Sequence, residues 1–226
     1  MTLRGQVIRR FGIGLPFVIA LLFLPAGSFR FWPGWSFLVL VCGPAFCFSL
    51  YLAKHDPELL ERRLRVKEKE SKQTLFKAFA SLIVFSAMGL AALDFRLGWT
   101  RAWLGPVPLW GMLVGQSAVL AGMGLIIWVL SVNRFASRTI EVDPGQRVVS
   151  SGPYAIVRHP MYSGILLMML AVAPALESYV ALPVAVFVIP VLAFRLTDEE
   201  RVLRRDLPGY AEYCQRTRFR LVPGVW

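Results

Sequence analysis

Residues 102–133 read AWLGPVPLWGMLVGQSAVLAGMGLIIWVLSVN, a run without a single Asp, Glu, Lys, Arg or His. About 20 apolar helical residues cross the hydrocarbon core of a bilayer. A charge-free run longer than that reads as a membrane span with interfacial residues at its ends. Five more charge-free stretches flank it: Phe11–Phe29, Phe31–Ala53, Ala78–Leu93, Pro160–Leu176 and Ser178–Phe194. Phe31–Ala53 is ample for a span, and Phe11–Phe29 suffices with Pro16 inside it. Ala78–Leu93 is short and is expected to extend back through Phe79 and Phe76. The last two stretches form a pair around Pro174, Glu177 and Ser178, a tight helix–helix turn. Each leg sits near the lower limit of about 17 residues. The pair is therefore two short spans or a hairpin that enters partway; in both cases the chain returns to its starting side.

The composition agrees. Of 226 residues, 56% are hydrophobic and 17% charged, against about a quarter charged in soluble domains. Mean hydropathy is +0.57. These values argue against a soluble globular enzyme. The net charge of +11 would suggest nucleic acid in a soluble chain. In an apolar chain it reads as affinity for anionic headgroups and as topology bias. No Lys/Arg stretch is interleaved with aromatics on a polar face, so nucleic acid is set aside. Three cysteines do not make a disulfide framework, and His55 and His159 make no cluster at metal-ligand spacing. No metal is expected.

Charge placement orients the spans. Of the 25 Lys and Arg residues, 22 fall in the N-terminus, loop 54–77, loop 134–158 and the tail from Arg195. Only Arg30, Arg96 and Arg101 fall on the other side. The positive-inside rule places both termini in the cytoplasm, at the inner membrane of a bacterium or the endoplasmic reticulum of a eukaryote. Trp32, Trp35, Trp99 and Trp103 gather at the outer ends as an aromatic belt. Arg9-Arg10 before an apolar run resembles a signal peptide, but no small-residue cleavage site follows Leu24, so an uncleaved first span is expected. Loop 54–77 is expected to lie on anionic headgroups, with no catalytic part. The expected architecture is an all-α integral membrane protein. It has about four full transmembrane helices, a C-terminal helical hairpin (five to six membrane helices) and a cytoplasmic catalytic cap. Residues 1–132 form the spans and residues 133–226 the catalytic region.

No ionisable residue lies deep in the spans, which weighs against an ion-coupled transporter. Chemistry is expected at the rim, in two polar segments. In Asn133–Gly164, Asp143-Pro144-Gly145-Gln146 and Ser151-Gly152-Pro153 are turns. Tyr154, Arg158 and Tyr162 follow at spacing i, i+4, i+8, with Pro160 bending any helix between them. Its ordinary reading is an interfacial anchor, with snorkelling Tyr and Arg. In Phe194–Trp226, Arg195 and Glu199 share a helix face at i, i+4, and Leu207-Pro208-Gly209 ends that helix before Tyr210, Tyr213 and Arg216. Its ordinary reading is a solvated amphipathic helix with weak ion pairs.

Read together, the two segments give GPY-x3-RHP-x-Y-x-G, an apolar hairpin, R-x3-E-E-x2-L and Y-x2-Y. This pattern resembles the isoprenylcysteine carboxyl methyltransferase family, and a looser form resembles the phospholipid N-methyltransferases. It covers residues 133–222. The resemblance implies an enzyme that uses S-adenosylmethionine and releases S-adenosylhomocysteine. It implies cofactor contacts from Gln146, Arg147, Val148, Val149, Tyr154, His159, Pro160, Met161, Tyr162 and Glu199. It assigns Arg195 to the substrate carboxylate. Arg158 joins Arg195 and Glu199 as a catalytic candidate, and Thr139 falls where some relatives carry a cofactor-contacting glutamine.

The chemistry of these residue types fits. Glu199 and the Tyr154 and Tyr162 rings suit a sulfonium cation and an adenine, and no G-x-G-x-x-G is present, which excludes a Rossmann methyltransferase. The expected acceptor is the carboxylate of a prenylated cysteine or similar lipid-like acid, gripped by Arg195. A phospholipid amine is the alternative acceptor, with Glu200 or His159 as base. A non-catalytic membrane scaffold or carrier with a degenerate site is the alternative of another class. Membrane lipids are the expected surroundings, and nothing in the pattern assigns an oligomeric state.

Overall fold

The computed structural model describes residues 2–64, 71–135 and 145–226. Helices α1 (Leu3–Ala26), α2 (Trp32–His55), α3 (Pro57–Leu64), α4 (Ser71–Leu97), α5 (Trp99–Trp103) and α6 (Leu109–Val132) make up the first half. A short 3-10 helix (Gly152–Ala155) leads into α7 (Pro160–Ala175), α8 (Leu182–Val186), α9 (Val188–Asp206) and α10 (Tyr210–Arg216). No strand occurs among the described residues.

Four helices are long and apolar enough to cross a membrane: Leu3–Ala26, Trp32–His55, Ala78–Leu97 within α4, and Leu109–Val132. As the sequence suggests, the third extends well before Ala78, so that α4 includes Phe76. Pro16 is accommodated inside α1, and Gly27 (φ +63°) ends it by donating to the Phe23 and Leu24 carbonyls.

The tightest packing joins α6 to α7 and rests on small residues. A Cβ on Gly122 would lie 2.7 Å from the Gly164 carbonyl oxygen, and one on Gly164 would lie 2.8 Å from that of Gly122. One turn-pair away, a Cβ on Gly115 would meet the Ala175 backbone nitrogen at 2.5 Å. Apolar surface gains little from helix association inside lipid, so close backbone approach supplies the attraction. The main core fills the space between α1, α2, α4, α6 and α7 with Leu22, Phe31, Ala91, Val119 and Val172 among its members.

The far end of the bundle is tied by a buried carboxylate. Asp94, near the end of α4, accepts from the Thr100 amide at 2.7 Å and from the Ser178 hydroxyl at 2.5 Å, and also from the Thr100 hydroxyl. Thr100 in turn accepts from the Tyr179 amide at 3.0 Å. The Thr100 and Ser178 hydroxyls and the Tyr179 amide thus have partners away from water. The turn after α7 therefore sits level with the end of α4, and the α7–α9 hairpin runs alongside the spans rather than stopping halfway. Glu177 makes the turn with φ +57°.

The second leg of the hairpin differs from the single apolar stretch read in the sequence. It breaks at Phe187 into α8 and α9. Pro190 has no N–H for the Val186 carbonyl, so a helix cannot continue through that step unaltered. Beyond it, α9 runs unbroken from its apolar half through Arg195 to Asp206.

The end of the bundle opposite Asp94 gathers the polar segments. Arg10 donates to the Leu64 carbonyl at 2.8 Å, and Arg134 pairs with Asp56 at 3.0 Å. Within the described part of loop 54–77, α3 packs on the ends of α1 and α2; Arg65, Lys67 and Lys69 lie outside the described residues. Leu59 and Leu60 of α3 are buried with Val7 and Leu52.

Candidate active site

At this polar end a cleft opens between the 146–149 segment, the start of α7, α9 and α10. Gln146, Arg147, Val148, Val149, Tyr154, Arg158, His159, Pro160, Met161, Tyr162, Arg195 and Glu199 all line it. Every residue that the resemblance nominates within the described chain therefore faces one space. Thr139 and the Asp143-Pro144 part of the turn lie outside the described residues.

Local structure explains the convergence. Pro153 opens the 3-10 helix, which sets Tyr154 against α6, where the Asn133 amide donates to the Tyr154 hydroxyl at 2.8 Å. Burial outweighs this bond and pushes the Tyr154 hydroxyl up to about 12. Pro160 sits in the first turn of α7, where its missing N–H leaves no bond unmade. Tyr154, Arg158 and Tyr162 therefore do not share one helix face; a chain break at Val157–His159 turns them toward the same cleft.

Two polar layers line the floor. In the outer layer the Tyr162 hydroxyl donates to Glu199 Oε2 at 2.6 Å and accepts from Arg195 Nε at 3.3 Å. Arg195 and Glu199, one helical turn apart on α9, are joined through this phenol. The Arg195 guanidinium lies 5.1 Å above the centroid of the Phe76 ring. His159 Nδ1 lies 3.8 Å from Glu199 Oε1.

The inner layer centres on Glu200, 4% exposed. Arg158 Nη1 approaches it at 2.8 Å, Arg220 Nε at 3.2 Å and His159 Nε2 at 3.4 Å. Burial opposes its charge, but the His159 contact and the two guanidinium groups prevail and hold its carboxyl below the ordinary range. Arg158 also donates to the Arg218 carbonyl at 3.0 Å. Its guanidinium is thus engaged by Glu200 and the tail, which makes it a support for the cleft floor. Arg158 Nε is buried without a hydrogen-bond partner.

Sequence reasoning missed several members. Asn133, Phe135, Leu203, Leu207, Tyr210 and Tyr213 also line the cleft. The Y-x2-Y spacing flagged the last two without assigning them to the site. Tyr213 donates to the Tyr154 carbonyl at 2.8 Å, locking α10 over the 3-10 helix. The tail beyond α10 then doubles back along the motif. Arg158 and His159 amides donate to the Phe219 and Arg220 carbonyls at 2.9 Å each, and Ser163 donates to Leu221 at 2.6 Å. Strap-like backbone pairing of this kind leaves no residue-type signature in the sequence.

Four apolar span-length helices with a polar, arginine- and carboxylate-lined cleft at one end support a multi-pass membrane protein. Residues 113–205 match the isoprenylcysteine carboxyl methyltransferase (ICMT) family. The match supports a membrane methyltransferase. The chain is also similar to the cobalt-zinc-cadmium resistance protein CzcN of Cupriavidus metallidurans, 32% identical over 125 residues, 53% of this chain and 51% of that protein. It is similar to the mouse Delta(14)-sterol reductase TM7SF2, 32% identical over 91 residues, 39% of this chain and 22% of that protein. The chain thus spans about half of the first relative and under a quarter of the second.

Proposed function

We propose that this chain transfers a methyl group from S-adenosylmethionine to the carboxylate of a lipid-like acceptor, an isoprenylcysteine or a similar acid, at the cytoplasmic face of the membrane. The observation that carries this reading is the Arg195–Tyr162–Glu199 row at the rim of an apolar bundle, which sets a cationic grip beside a carboxylate. The donor set fits the cofactor. Glu199 and the phenol of Tyr162 offer acceptors to a cation, and Val148, Leu203 and Leu207 give apolar wall for a base. When bound, S-adenosylmethionine supplies an activated methyl group on a positively charged sulfur.

The residues then have distinct tasks. Arg195 holds the acceptor carboxylate by two parallel N–H bonds. Glu199 would face the cofactor's positive charge, with Tyr162 fixing the carboxylate's orientation. The bound donor would supply its methyl group to the acceptor oxygen with loss of the carbon–sulfur bond, which would leave a methyl ester and S-adenosylhomocysteine. A carboxylate with pKa near 4 is already ionised at neutral pH, so no base is required; alignment and exclusion of water are what the cleft provides. Glu200, one of the two candidate bases for an amine acceptor beside His159, has its carboxyl held below the ordinary range by His159, Arg158 and Arg220 and is a weak proton acceptor there. The charge distribution supports cytoplasmic termini, and a hairpin that returns to its starting side keeps the C-terminal segment on the same face as the N-terminus.

Calorimetric titration of S-adenosylhomocysteine into the detergent-purified protein tests the site. Saturable one-to-one binding is expected. No measurable heat or affinity would contradict the reading and favour a scaffold or carrier with a degenerate site.

A further inference from the structure

The loop between α2 and α4 was expected to serve topology alone, and neither α3 nor α4 falls within residues 113–205. Yet its two described ends both reach the cleft. On one side Arg62 of α3 stacks over the ring of Phe135, a cleft-lining residue, at 5.6 Å. On the other, Phe76 of α4 lies under the Arg195 guanidinium at 5.1 Å. Arg195 is 6% exposed, so this contact is already largely removed from water.

We propose that Phe76 is a positioning residue for the acceptor half of the site. Its ring holds the plane of the Arg195 guanidinium so that the donor edge points into the cleft. A guanidinium binds a carboxylate bidentately only in that plane. One side of the fork is occupied by the Tyr162 hydroxyl at Nε. The guanidinium carbon lies over the ring at 5.1 Å from its centroid. Rotation about the end of the side chain is restricted more by an aromatic platform than by an aliphatic one. It follows that acceptor recognition draws on a helix outside the matched family segment, whereas the cofactor contacts lie within the C-terminal part. This inference rests on the proposed role of Arg195.

Phe76→Leu and Phe76→Trp test it. The first readout needs no ligand: the rate of phenylglyoxal modification of Arg195, followed by peptide mass spectrometry on the purified full chain. Phe76→Leu is expected to speed it at least threefold, and Phe76→Trp to restore the wild-type rate. The second readout is methyl transfer to N-acetyl-S-farnesylcysteine. Phe76→Leu is expected to raise the acceptor KM about three- to tenfold, to leave kcat within twofold and S-adenosylhomocysteine affinity unchanged, and Phe76→Trp to return KM to the wild-type value. An unchanged Arg195 modification rate in Phe76→Leu overturns the inference whatever the activity. Equal loss of cofactor affinity and acceptor affinity also overturns it, as a general loosening of the cleft. If the wild type modifies slowly at Arg195 as expected but transfers no methyl group to the acceptor, the proposed acceptor falls while the Phe76–Arg195 contact stands on the first readout.

Discussion

Arg195 sits where α9 leaves its apolar half, buried and joined through Tyr162 to Glu199. Lysine at this position keeps the charge but loses the planar fork. Arg195→Lys is expected to lower kcat/KM for a carboxylate acceptor about tenfold or more, with S-adenosylhomocysteine affinity unchanged in calorimetry. Full activity in that variant would remove Arg195 from the acceptor grip. Glu200 answers to pH in a defined direction. Its folded carboxyl is held below the ordinary range, so its ionised form favours the folded state. That contribution is complete above the ordinary carboxylate pKa, about 4.5, and is lost as pH falls through the lower folded value. Glu200→Gln leaves Arg158 buried without its counter-charge and is expected to destabilise the fold by about 3 kcal/mol at pH 7. Thermal unfolding in detergent from pH 3 to 7 should show a flatter acid limb in the variant than in the wild type. The pairing of Arg195 with Glu199 was legible from i, i+4 spacing. The phenol between them was not, because Tyr162 reaches α9 from a different helix, and neither was the ring of Phe76 under Arg195.

Among the elements, α6 and α7 depend on contact between backbones at Gly122 and Gly164. A branched side chain has nowhere to go there: its Cβ would fall 2.5 Å from Met168 Cγ and 2.7 Å from a carbonyl oxygen that cannot swing aside. Gly122→Val is expected to destabilise the bundle by about 1–3 kcal/mol, read as a lower unfolding midpoint in detergent. Because α7 begins with Pro160, Met161 and Tyr162, the same variant should also weaken S-adenosylhomocysteine binding. A stable protein with unchanged affinity would mean that α7 can shift without disturbing the cleft. The four spans were readable because absence of charge over sufficient length has few other solutions in a folded chain. The break between α8 and α9 was not placed, although Pro190 signals it, since the stretch was taken as one apolar leg. The depth of the hairpin turn was out of reach of hydropathy altogether: it is set by Asp94, Thr100 and Ser178, polar residues that meet only in three dimensions.

For the molecule as a whole, one end of the bundle carries the charge and the cleft, and the other carries the Asp94 tie. A site at such a rim lets an acyl or prenyl chain stay among apolar helices while its polar end reaches Arg195. In the sequence, 22 of the 25 basic residues fall in the segments read as one side of the membrane; on the proposed account most of them orient the chain and a few serve the chemistry. Composition alone identified the membrane. The RHP-x-Y and R-x3-E-E motifs pointed to the cleft, and the tail strap and the contribution of α4 became visible only in the folded chain. The central claim is methyl transfer to a carboxylate, and one assay addresses it most directly. Methyl-labelled S-adenosylmethionine is incubated with the purified protein and either N-acetyl-S-farnesylcysteine or phosphatidylethanolamine from pH 6.5 to 8.5. The account predicts a base-labile methyl ester on the farnesylcysteine, formed at a rate nearly independent of pH. Label in a base-stable methylamine, formed at a rate that climbs steeply with pH, or no transfer to either acceptor, would contradict it.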